Sequence, residues 1–215
     1  MKLSNRLKSI ASLVTNEDII ADIGCDHAYL DIYLVKNKII DKAYVSDVNY
    51  SALNNGIKNI KKYNLEDKID ARLSDGISSI SEDVNTLVIS GMGASTIIKI
   101  LDNPKINQIN KLIIQSNNDY YILRTYLTKN NFYISHESVI TENNKHYVNI
   151  VFLRGTKNYT EKELKYGPIL MYSNKNYYEY LYNKQKEILT NIPKKRIYSR
   201  FLVKREIKQL RKLSI

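Results

Sequence analysis

The densest chemistry in the chain sits where Ile19-Ile20-Ala21-Asp22-Ile23 breaks at Gly24-Cys25-Asp26-His27. A short apolar run closed by glycine reads as a buried strand and a turn. Glycine there opens backbone angles closed to other residues and lets a ligand approach the main chain. Asp26 and His27 then put a carboxylate and an imidazole at the strand's carboxyl end. Asp47 ends the next apolar run, 23 residues beyond Gly24. An acid at that distance is placed to take both hydroxyls of a ribose. Asp75-Gly76 closes a third run, where the acid suits an adenine amino group; a plain Asp-Gly turn explains the same pair. Gly91-Met92-Gly93 closes a fourth, with glycines for close approach and backbone N–H groups for an anion. Gln115 and Asn117 follow a fifth. Their amides suit a base edge, while N-capping of the next helix explains the Asn and Asp of that cluster equally well.

Alternating strands and helices position these groups. Apolar spacing over residues 3–14 predicts an amphipathic helix with Ser4 as N-cap; Arg6 sits on it, reaching the pocket or solvent. Strands are expected at 19–23, 42–47, 69–73, 86–90 and 111–115. Helices are expected over 28–34, 51–63 (with Ser51 as N-cap), 97–101 and 121–129. Residues 132–140 and 145–153 then form an antiparallel hairpin. Five βα units closed by a hairpin are the arrangement of class I methyltransferases. The lone glycine in Gly24-Cys25-Asp26-His27-Ala28 disfavours a dinucleotide dehydrogenase. Thr160 and Glu163 fit a capping box. Residues 174–190 and 194–213 read as an antiparallel helix pair joined at Pro193, with Tyr178, Leu181, Tyr182, Ile188, Ile197, Phe201, Ile207 and Leu210 apolar.

The 215 residues, 43% hydrophobic, suffice for one ordinary domain and a smaller one. The division is expected at 155/156. One cysteine excludes an internal disulfide and a multi-cysteine zinc site, and no metal is expected. No run approaches the roughly 18 apolar residues of a membrane span, and the first residues lack a signal-peptide pattern. The expectation is a cytoplasmic protein. The net charge of +11 is uneven: residues 155–215 carry 15 Lys and Arg against 5 Asp and Glu, whereas residues 1–154 carry 18 against 17. A nearly neutral body with a basic tail points to a polyanion, usually nucleic acid. Eight of the 18 tyrosines fall between Tyr159 and Tyr198, among Lys and Arg; most are expected to pack the helix pair, and any left exposed can stack on bases.

The chain resembles the bacterial tRNA (adenine-22-N1)-methyltransferase family, the TrmK type, over nearly its whole length. The resemblance rests on Leu3-Ser4-Asn5-Arg6-Leu7, Asp22-Ile23-Gly24-Cys25-Asp26-His27-Ala28-Tyr29-Leu30, Ser90-Gly91-Met92-Gly93, Gln115-Ser116-Asn117, Leu123-Arg124, Glu142, Lys145, Tyr147 and Gly167-Pro168. The chain departs from the family at Ala94, Ser116 and Asp31, where glycine, proline and proline are usual. The resemblance implies an α/β, Rossmann-like domain with a seven-stranded, mostly parallel sheet, then a small all-α helical hairpin. It implies S-adenosylmethionine as cofactor and N1 of tRNA adenine 22 as acceptor. The partner is tRNA, held at its D-arm region and elbow by the basic helices of a monomer, with no membrane contact. Expected catalytic residues are Asp26, His27, Tyr29, Gln115 and Asn117, with Tyr29 and Met92 as stacking surfaces. Expected cofactor contacts are Gly24, Cys25, Asp26, Asp47, Val48, Asp75, Gly76, Gly91 and Met92, with Cys25 as a small packing residue rather than a nucleophile. Rival readings are another RNA site, a small-molecule acceptor, or a non-catalytic RNA-binding scaffold.

Overall fold

A seven-stranded sheet forms in the order β3-β2-β1-β4-β5-β7-β6 in the computed structural model, which describes residues 3–215. Its strands are β1 (Ile20–Ile23), β2 (Ala43–Asp47), β3 (Ile69–Leu73), β4 (Thr86–Met92), β5 (Lys111–Ser116), β6 (Phe132–Glu142) and β7 (Lys145–Arg154). β1 through β5 are mutually parallel, and β7 runs antiparallel to both β5 and β6. All four residues of β1 are buried, as expected of a central strand covered on both faces. The chain winds outward from β1 to β3, then crosses back to place β4 on the other side of β1. The carboxyl ends of β1 and β4 are therefore neighbours at the switch point, where open α/β sheets bind ligands.

Helices α1 (Asn5–Ala11), α2 (Tyr29–Lys36), α3 (Tyr50–Lys62), α4 (Ala94–Leu101) and α5 (Tyr120–Lys129) complete this part of the chain. Ser4 caps α1 as its sequence predicts, accepting from Leu7 N at 3.2 Å. The cap of α3 is Asn49, not Ser51: the Asn49 Oδ1 accepts from Ser51 N at 2.8 Å, moving the cap two residues earlier. N-capping of α5, the alternative reading of the 116–119 cluster, is not made by Asp119, which is left-handed (φ 50°) and has no side-chain cap bond. Asn118 instead caps α4, accepting from Ala94 N at 3.0 Å, where Gly93 has no side chain to do so. β4 continues past Ser90 to Met92 through a register shift, so Gly91 belongs to a bulged strand end rather than to a free loop. The hairpin turns on Asn143-Asn144 alone, both left-handed (φ 50° and 59°). That is the two-residue geometry matching strand twist, and asparagine tolerates it.

Contacts divide the chain into two units, 1–158 and 159–215, against the 155/156 division expected. The second unit holds α6 (Glu161–Tyr166), α7 (Leu170–Ser173), α8 (Lys175–Asn191) and α9 (Ile197–Leu213). The capping box forms: Glu163 N donates to Thr160 Oγ1 at 3.2 Å, and Thr160 N to Glu163 Oε2 at 2.7 Å. Arg200 caps the end of α8, donating to the carbonyls of Leu189 (2.9 Å) and Ile192 (2.6 Å). Tyr178, Leu210 and Leu213 are buried. Ile197 and Phe201, expected to pack, are exposed at 77% and 59%.

Candidate active site

Three of the five residues after β1 take left-handed backbone angles: Gly24 (φ 79°), Asp26 (48°) and Ala28 (53°). Such a cluster of strained angles marks a loop held by its surroundings. Gly24 N and Cys25 N both donate to Ser46 O, at 2.8 and 3.1 Å. Asp26 N points at Asp47 Oδ2 (3.4 Å), and Asn49 N donates to Asp47 Oδ1 (2.8 Å), so backbone amides orient the Asp47 carboxylate. Asn59 of α3 donates to His27 O at 3.0 Å. The φ of 79° at Gly24 strains any other residue there, whereas the Met92 Cε that an added Cβ would meet at 2.2 Å is the end of a flexible side chain and can move aside.

The loop, β4 and α1 enclose a cavity of about 430 Å³. Its floor is Asp22, Gly24 and Cys25; Asp26, His27 and Tyr29 form one wall; Ser90 and Gly91 face them. Arg6 and Leu7 of α1 and Glu142 and Tyr147 of the hairpin close it. The His27 and Tyr29 rings stack at 5.3 Å and 19°, and His27 Nε2 lies 3.5 Å from Asp26 Oδ2. A second cavity of about 460 Å³ lies within the helical unit, lined by α6 and α9. Its Lys165 is already paired with Glu206, and it has no glycine-walled strand end, so the chemistry belongs to the first.

Arg6 reaches into the cavity rather than solvent. Its Nε donates to Gln115 Oε1, its Nη2 lies 3.5 Å from Ser90 Oγ, and its guanidinium sits 5.1 Å from the Tyr147 ring centre. Gln115, expected to read a base edge, is 1% exposed. Its other amide end donates to Asn149, which donates to Ser9 Oγ at 3.0 Å. Both ends of Gln115 are thus committed to fixing Arg6 and α1. Asn117 is exposed, and its Nδ2 donates to Gly91 O at 2.6 Å. Arg6, Asp22, Ser90, Glu142 and Tyr147 are among the lining residues that spacing alone did not assign to the pocket. Glu142 accepts from Asn5 N at 2.7 Å, a pairing of α1 with the hairpin 137 residues away that no local pattern encodes.

The remaining expected contacts lie outside the cavity lining: Met92 half-buried at the end of β4 with its Cε beside Gly24, and, along the β2–β3 ends, Asp47 half-buried, Val48 exposed at 71%, Asp75 exposed, and Gly76 in a left-handed conformation (φ 82°). Burial, then the charges of Asp22, Asp31 and Asp47, push the Cys25 thiol far up, so it is a neutral packing group. Burial raises Asp22 to about 7; hydrogen bonding with Asp31 opposes that, Asp47 adds to it, and Arg6 opposes it. The residues present fit a nucleoside carrying an amino acid: a carboxylate for a diol at Asp47, an open main chain at Gly24 and Gly91, and an Arg6–Asp22 pair for a zwitterion.

Fold and site together define a methyltransferase domain of the class I type, and a methyltransferase-domain family model matches residues 3–150. The chain is 30% identical over 160 residues to the tRNA (adenine(22)-N(1))-methyltransferase of Bacillus subtilis, spanning 73% of this chain and 67% of that protein. It is similar to M. capricolum TrmK, solved in complex with S-adenosyl-homocysteine (TM-score 0.85, 33% identity, 99% of this chain and 97% of the other). A Streptococcus agalactiae protein of the NADB-Rossmann superfamily superposes with TM-score 0.93 at 33% identity, over 100% and 98% of the two chains. The chain belongs to the tRNA (adenine(22)-N(1))-methyltransferase family, TrmK.

Proposed function

We propose that this protein methylates N1 of adenine 22 in tRNA with S-adenosylmethionine as donor. The observation that supports this best is the glycine-walled, carboxylate-floored cleft at the β1–β4 switch point in a chain of this family. The donor supplies an electrophilic methyl group on a sulfonium. Asp47, oriented by two backbone amides, accepts from the ribose hydroxyls, and Val48 and Asp75 border the adenine of the cofactor. Arg6 and Asp22 take the carboxylate and amino groups of its methionine end.

Adenine N1 carries an in-plane lone pair, so no base or covalent nucleophile is needed; positioning and electrostatics do the catalysis. The N1 edge is hidden in a paired base, so a paired target must be extruded. Tyr29, 40% exposed and stacked on His27, offers the base a face. Asn117, anchored through Nδ2 on Gly91 O, keeps Oδ1 for the adenine amino group. The carbonyl of Gly91 and the carboxylate of Asp26 favour the positive charge as it moves onto the ring. Gln115 acts by fixing Arg6.

The basic second unit is proposed to hold the D-arm region and elbow of the tRNA, the protein acting as a cytoplasmic monomer. Exposed Tyr172, Tyr198 and Phe201, interleaved with Lys and Arg, suit stacking and phosphate contact. No described helix is long and apolar enough to cross a membrane. The reading is tested with two unmodified tRNA transcripts, one with adenine and one with guanine at position 22. Methyl incorporation should occur only in the first; equal incorporation in both would reject the assigned base.

A further inference from the structure

At the floor of the cleft two acids are buried side by side. Asp22 on β1 and Asp31 in the first turn of α2 are 6% and 0% exposed. Among the described residues, no hydrogen-bond donor of another residue reaches either carboxyl oxygen of Asp31. The group its side chain meets is the Asp22 carboxyl. Two carboxyls in such contact cannot both ionise at neutral pH. One shared proton supplies the missing donor and turns the repulsion into an O–H···O bond.

Geometry favours Asp31 as the carrier of that proton: it is fully buried with no donor among the described residues at either oxygen, whereas Asp22 lines the cleft on the side of Arg6. Burial first, then the charge of Asp22, push Asp31 well above the usual carboxylate range. Contact between the two favours ionised Asp22 and neutral Asp31. The other charged groups facing the pair are Arg6 from α1, which favours ionised Asp22, and Asp47 from β2, which disfavours it. The neighbouring Cys25 thiol stays neutral.

We propose that Asp31 is a positioning residue for cofactor binding: as the protonated partner of a carboxyl–carboxylate pair, it holds Asp22 as a singly charged, oriented acceptor for the amino group of the cofactor. This rests on the cofactor reading of the cleft given above. Affinity should then rise with pH as Asp22 ionises, by up to about tenfold per pH unit while one proton is released. Asp31→Leu removes the bond that favours ionised Asp22, so the rise should move to higher pH and binding should weaken at neutral pH. Asp31→Asn restores a donor and should keep the rise where the wild type has it, and Asp22→Asn should abolish it.

The test is calorimetric affinity for S-adenosylmethionine and S-adenosyl-homocysteine between about pH 5 and about pH 8, on variants shown folded by thermal melts. The expected result is the same rise for both ligands, displaced in Asp31→Leu and retained in Asp31→Asn. A pH-independent wild-type affinity, or an Asp31→Leu profile overlying the wild type, overturns the proposal. Should Asp31→Leu fail to fold, infrared spectra decide: a protonated-carboxyl band at neutral pH, lost in Asp31→Asn, supports the pair, and its absence from the wild type overturns it. Failure of folded wild-type protein to bind either ligand at any pH would instead reject the cofactor reading.

Discussion

Asp47 is the residue on which the cofactor reading leans most. Its carboxylate is held by two backbone amides and points out of the strand end. Asp47→Ala should weaken S-adenosylmethionine binding by about 2–3 kcal/mol, the scale of a charge-assisted pair of bonds; unchanged calorimetric affinity would sink that role. The Asp22–Asp31 pair makes a separate prediction about folding. Both acids lie above their ordinary value of 3.8 in the folded chain, so above about pH 4 the folded state holds protons the unfolded state has released. Stability from these groups is complete below that point and falls as pH rises through the folded-state values. Asp31→Asn should therefore gain about 1–3 kcal/mol at about pH 8, with the gain shrinking toward acid pH. Thermal denaturation at both ends of the range checks this, and an equal shift at both would contradict it. The strand-end placement of Gly24 and Asp26 after β1 and of Asp47 at the end of β2 was readable from residue type and spacing, because each belongs to a local strand–turn–helix pattern. The Asp31 partnership was not, since it joins a strand to the next helix through a buried face that spacing alone does not specify.

At the level of elements, α1 is the part that a local reading leaves undetermined. Its apolar spacing and Ser4 cap predict a helix, and one forms. What it does depends on contacts far away in sequence: Arg6 with Gln115, Asn5 with Glu142, and Ser9 with Asn149. Gln115→Leu keeps the side chain's approximate size but removes both amide bonds. It should leave the fold intact while raising the KM for S-adenosylmethionine more than it lowers kcat, because Arg6 loses its fixed position; steady-state kinetics with folded protein check this, and an unchanged KM would contradict it. The hairpin is tied down by a different device, the buried Arg124–Glu137 pair between α5 and β6, at 2.7 Å. Glu137→Ala removes the carboxylate beneath a buried guanidinium and should cost about 3–5 kcal/mol, measured by chemical denaturation. The cap of α3 was misjudged because Asn49, two residues before Ser51, supplies the acceptor in its place.

For the whole molecule, the decisive asymmetry is electrostatic. The excess positive charge lies almost wholly beyond residue 154, and that part forms its own contact unit. Order and type of the strands were legible because each βα unit repeats a local pattern. The packing of the helical unit was not, since Ile197 and Phe201 look like packing residues in sequence and stand exposed. Replacing Lys194, Lys195 and Arg196 by alanine should weaken tRNA binding, lower the slope of log affinity against log salt by about 1 per lost phosphate contact, and leave S-adenosylmethionine affinity unchanged. The reaction itself is checked by transferring labelled methyl from S-adenosylmethionine to unmodified tRNA and mapping the product nucleoside by mass spectrometry. N1-methyladenosine at position 22 is the expected product; label at another nucleoside, or none from protein that binds both cofactor and tRNA, would refute the proposed reaction.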